Sequence, residues 1–248
     1  MNDPKSLPET DPRRSPVRPS LPQQQTAQAP QPIATAPSAP KASEAPPESP
    51  TNPNAALNTL RRKMELVSDE FAQGKINRAQ FNAVYKRYSE QRTIIERLIA
   101  RNPDSDAWKQ VIGIKGQTGF LRHHFEALPL YFVAYRHNQF EPIMIGGKQK
   151  ANEELIKPVL TLVWSMPTRP KNGLGRKPIG DAQWLILACG DHAATAVVFS
   201  LEPSIAQARL VRDLHADFER ANQAALARGW IVPERMVFPQ RALVESGL

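Results

Sequence analysis

Cys189, Asp191 and His192 form the one group in the sequence whose side-chain types match a nucleophile, an orienting carboxylate and a base. Thiol chemistry would need a thiolate beside an imidazole whose ring a third group fixes. Closeness along the chain does not place side chains together in space, and Cys189 ends the apolar run WLILAC. It is read as a small buried hydrophobe on a strand, the usual fate of a free cysteine. His123, His124 and His137 are the candidate metal ligands, but adjacent histidines on a helix point about 100° apart and do not converge as a pair four positions apart does. GGKQK after Ile145 lacks the spacing and the Ser or Thr of a phosphate-cradling loop, and it reads as a turn. The lone cysteine rules out an internal disulfide framework and any multi-thiolate zinc pattern. The sequence therefore predicts no catalysis, no metal and no cofactor.

Cations are the more promising chemistry. In TRPKNGLGRKPIGD, Arg169, Lys171, Arg176 and Lys177 stand among prolines and glycines, with no acidic residue between Glu154 and Asp181. Such a loop could hold an anionic partner, although it offers no Tyr or Trp for stacking, and the plain alternative is a solvated loop. The net charge is +8, and its excess lies in residues 55–101, which carry ten basic and five acidic side chains. Arg61, Arg62, Lys63, Lys86 and Arg87 there either form a wet helix face or attract nucleic acid, an anionic membrane surface or an acidic protein.

These residues need elements to position them. Residues 1–54 hold 14 of the 24 prolines and no aromatic residue, so they have almost nothing to bury and read as a disordered proline-rich tail. Residues 55–102 read as a basic helical hairpin. Leu57, Leu60, Met64, Val67 and Phe71 recur at spacings of three and four, Gly74 stands where a left-handed cap is needed, and Asn77 with Gln80 fits a reciprocal capping arrangement. The second helix carries Phe81, Val84, Tyr85, Tyr88, Ile95, Leu98 and Ile99 on one side and stops at Asn102, before Pro103.

The run DEFAQGKINRAQFNAVYKRY resembles the SHOCT family of short helical hairpins, with Gly74, Ile76 and Phe81 at the matching places. The resemblance covers about 25 residues and implies an oligomerisation or docking role, without naming a partner. Leu60, Met64, Phe71, Ile76, Phe81, Tyr85 and Tyr88 are the candidate packing residues of the hairpin, which has an extended second helix suited to packing on another helix or to forming a coiled coil.

Residues 104–248 read as a small α+β domain with an antiparallel sheet. DAWKQVIGIKGQ is ambiguous. GFLRHHFEALP is expected to be a short helix with Phe120, Leu121, His124, Phe125 and Leu128 inward, and LYFVAYRHN with FEPIMIGG a hairpin of strands. KANEELIKPVLTLVWSMPT is expected to be a short helix ending near Pro158 and then a strand. A loop follows, then two apolar strands, AQWLILACG and ATAVVFSLEP, turning at Gly190 and Asp191. Ser204 and Gln207 open a long helix that Gly229 closes, with Val211, Leu214, Phe218, Ala221 and Ala225 facing the sheet and Trp230 and Phe238 docking after it. The order of elements over residues 118–228 is similar to roadblock-type and, more broadly, profilin-like or GAF-like sensory domains. That resemblance implies dimerisation, regulation or ligand sensing, and transfers no functional residue.

MNDPKSLPET lacks the pattern of a signal peptide, and no apolar run is long enough to span a bilayer, so the chain reads as cytoplasmic. The expected function is non-catalytic, regulatory or scaffolding, through protein contacts and homo-oligomerisation. The alternative is a binder of nucleic acid or an anionic surface through the basic hairpin and the 169–177 segment.

Overall fold

Asn52, whose side chain accepts from the Ala55 N–H (2.7 Å), starts the first helix, α1 (Pro53–Ala72), two residues ahead of the expected position. The computed structural model describes residues 50–113, 116–168, 173–180 and 182–245, so the proline-rich tail up to residue 49 lies outside the described residues. Gly74 takes the left-handed conformation (φ 72°) and turns the chain into α2 (Arg78–Arg101), which Asn77 and Gln80 open with a reciprocal capping box. The two helices pack through Leu60, Val67, Ile76, Val84 and Ile95, all buried, with Met64, Phe81 and Tyr88 half-buried. Trp108 of a short α3 (Trp108–Gly113) closes the far end of this core, and α4 (Gln117–His124) lies against α2.

Five strands, β1 (Pro129–Arg136), β2 (Pro142–Gly147), β3 (Gly173–Ile179), β4 (Gln183–Cys189) and β5 (Ala193–Phe199), form an antiparallel sheet in the order β2-β1-β5-β4-β3. With the helices, this makes an α+β fold. Strand alternation divides the sheet residues between two cores. Phe132, Ile186, Val197 and Phe199 meet the long helix α6 (Ile205–Arg228), while Tyr131, Tyr135, Leu187 and Cys189 meet α5 (Glu153–Trp164). A 3-10 turn at Pro233–Arg235 and α7 (Arg241–Glu245) finish the described chain, with Phe238 stacked on Phe218 at 5.3 Å.

Several expectations are corrected. The stretch after Pro158 is helix, not strand, because Ile156 and Leu160, four positions apart, are buried against the sheet and outweigh both the proline and the β-branched composition. The loop expected around Gly173–Ile179 is the edge strand β3. An edge tolerates Pro178, Arg176 and Lys177, which conceal the strand from a search for apolar alternation. Phe120 (65 % exposed), His124 and Leu128 do not turn inward; Phe120 and His124 stack on each other at 5.5 Å, and Ala127 takes the buried place. The inward stripe of α6 is Ala208, Val211, His215, Phe218, Asn222 and Leu226, so Ala221 is exposed and Leu214 and Ala225 are only half-buried. Trp230 does not dock: it is 65 % exposed, beneath the Arg228 guanidinium at 5.1 Å.

Candidate functional site

The hairpin is held to the α/β part at its turn, and Phe71, Phe81 and Tyr85, three of the packing residues the sequence singles out, lie beside that junction. The backbone N–H of Ala206 donates to the Gly74 carbonyl (3.0 Å), and a Cβ added at Gly74 would press into Ile205. Asn77 and Gln80, while capping α2, also donate to the Phe125 and Arg122 carbonyls at 2.8 and 2.7 Å. Arg122 pairs with Glu70 of α1 at 2.7 Å. Beside this junction Phe71 stacks on Phe81 (4.7 Å) and Phe81 on Tyr85 (5.2 Å), a continuous aromatic strip in which Phe71 and Tyr85 are each 36 % exposed.

The described cations differ in their settings. Arg61, Arg62 and Lys86 are exposed on the helices, whereas Lys63 and Arg87 face one cavity of about 220 Å³. Arg176 donates to the Pro203 carbonyl (2.8 Å), approaches Glu202 at 3.4 Å and covers the Trp184 ring at 5.8 Å, so on β3 it works as a tie between elements. Lys177 next to it is exposed; Arg169 and Lys171 lie outside the described residues.

Cys189 is buried in the α5-side core, and Asp191 and His192 line an open hollow with Arg136, His137 and Asn138. His123 and His124 sit on α4 and His137 follows β1, and among the described residues no group of three metal-ligating side chains occurs. Tyr131 and Tyr135 are buried, which raises both phenols above their usual range; the Glu153 carboxylate adds to this at Tyr135, and the Asn152 backbone opposes it at Tyr131. Both stay protonated near neutral pH and are poor bases.

A polar cluster that the sequence did not announce lies on the other face. Glu219 of α6 accepts the backbone N–H groups of Asp191 (3.0 Å), His192 (2.8 Å) and Ala193 (2.7 Å), pinning the β4–β5 turn. Gln240 donates to the Thr195 hydroxyl (3.1 Å), which leaves that hydroxyl free to donate to His215 Nδ1 (2.9 Å). On this network the ring proton is assigned to Nε2, 4.0 Å from Glu219. Burial lowers the His215 pKa, against the opposite pull of Glu219 and the Ala193 backbone. The signal available in the sequence was position: His215 falls four residues after Val211 and three before Phe218, inside the apolar stripe. The cluster is enclosed, and its visible work is to fix a turn.

Among the described residues no helix is long and apolar enough to cross a membrane. Comparison with protein-family models, curated proteins and solved structures returned no match.

Proposed function

We propose that this chain is a non-catalytic regulatory or scaffolding protein of the cytoplasm, working through contacts with protein surfaces, including a second copy of itself. The observation that carries this reading is the Phe71–Phe81–Tyr85 strip, half-exposed where the hairpin joins the α/β part. Clustered aromatic rings on a rigid support are the residue type that dominates binding energy at protein interfaces. The SHOCT-like run, with Gly74 and Ile76 at the turn and Phe81 in the strip, supports a docking role for the same segment. The roadblock-like order of elements supports it more weakly. The burial of Cys189 and of His215 suits these side chains to structure rather than to turnover.

Light scattering on the full chain at low micromolar concentration tests this. The expected mass is twice the 27.7 kDa of the monomer, falling to the monomer value when Phe71 and Tyr85 are both replaced by serine. A parent protein that scatters as 27.7 kDa would contradict self-association. The nucleic-acid or anionic-surface reading has narrower support: Arg61, Arg62 and Lys86 are exposed, but Arg176 is committed to Glu202 and Pro203.

A further inference from the structure

Lys63 of α1 and Arg87 of α2 belong to helices of the hairpin, yet both line the same cavity of about 220 Å³, together with Ile112 of α3 and the first residues of α4. Among the described residues no carboxylate lines this space. Neither cation has an ion pair among the described residues, and Lys63 lies 5.8 Å over the Tyr88 ring. The Nε of Arg87 is shut off from solvent with no acceptor among the described residues, a costly state for a charged donor. Gln91, itself buried, also lines the cavity and is anchored by donating its Nε2 to the Val111 carbonyl (3.0 Å).

The start of α4 adds a third positive element. Gly116, with φ 89°, takes the capping position and provides no side chain, and the first bond of the helix runs from the Phe120 N–H to the Gly116 carbonyl (3.1 Å). The N–H groups of Gln117, Thr118 and Gly119 therefore lack helical acceptors, and Gly116, Gln117 and Thr118 line the same cavity. Two cations without an ion pair among the described residues and a helix start with no side-chain cap therefore line one cavity. We infer that this cavity binds a small phosphate-class oxyanion. A tetrahedral dianion has oxygens enough to meet the flat guanidinium, the point charge of the ammonium and the backbone donors together, and to neutralise both cations.

This inference is independent of the protein-contact reading, because neither Lys63 nor Arg87 belongs to the aromatic strip. The test is a titration of the full, 15N-labelled chain with inorganic phosphate at fixed ionic strength, with acetate and chloride alongside. The amide signals of residues 116–119 are expected to move saturably with phosphate alone. The apparent Kd should rise at least about tenfold in Lys63→Met and in Arg87→Met and hold in Lys86→Met. Lys63 is exposed, so its variant keeps the test valid if Arg87→Met fails to fold. Amides that do not move, shifts equal with acetate, or a Lys63→Met chain that titrates like the parent would overturn the site. Binding to phosphatidylglycerol vesicles without any response to inorganic phosphate would also overturn it, since that pattern describes attraction to a charged surface. The light-scattering mass of Lys63→Met should match the parent, which keeps a failure here distinct from a failure of self-association.

Discussion

Glu219 shows how a single side chain can hold a connection that sequence spacing conceals. Its carboxylate receives three consecutive N–H groups from a turn 26–28 residues away, and a Cβ added at Gly190 would overlap it. Replacing Glu219 by alanine should lower stability by about 2 kcal/mol in urea denaturation, because charge-assisted bonds are lost and the donors are only partly able to find water. Glu219→Gln should fall between the two, and an alanine variant as stable as the parent would contradict the clip. His215 gives the cluster a pH dependence. Its folded pKa is held down by burial, so as pH falls below the ordinary histidine value of 6.5 the unfolded chain takes up a proton that the folded chain refuses. Stability should be complete above that pH, decline from there towards the lower folded pKa, and level off beyond it. The urea midpoint followed from about pH 7 to pH 5 should show this slope in the parent and lose it in His215→Gln; equal slopes would contradict it. At this scale the sequence was least legible. Nothing local to Glu219 marks it as the residue that holds the β4–β5 turn, since its partners lie 26–28 positions away.

Elements whose signals are local were legible almost to the residue. Asn77 with Gln80, Ser204 with Gln207, and the left-handed Gly74 and Gly229 stand at helix ends as their chemistry dictates, since each cap is made within three or four positions. The failures are elements decided by what they touch. α5 contains Pro158 and a run of β-branched residues, and becomes a helix because the sheet buries Ile156 and Leu160. β3 has little to bury and exists because β4 offers it a ladder. Of the cation cluster read along residues 169–177, Arg176 is claimed by Glu202, a partner no local pattern reveals. The helical reading of α5 has its own consequence. Pro158 is exposed and sits inside the helix, where it gives no N–H, so Pro158→Ala should raise the unfolding free energy by about 1–2 kcal/mol and lift Tm. A Tm equal to or below that of the parent would contradict it.

Across the whole molecule, the hairpin and the α/β part share bonds at one junction rather than hanging on a linker. Gly74 against Ile205, Asn77 and Gln80 against α4 and the residue after it, and Glu70 against Arg122 fix the direction in which the aromatic strip faces. A strip held this way presents its rings at little ordering cost, which favours binding. The junction was not foreseen, because its contacts span from 42 to about 130 positions of sequence, whereas Phe71, Phe81 and Tyr85 were expected as packing residues of the hairpin. The claim that this surface is where the protein meets a second copy is tested most directly by hydrogen exchange on the full chain at about 1 µM and about 100 µM, since mass action fills an interface as concentration rises. The account predicts added protection at the higher concentration over residues 71–85, absent when Phe71 and Tyr85 are serine. Exchange that is the same at both concentrations throughout that segment would contradict it.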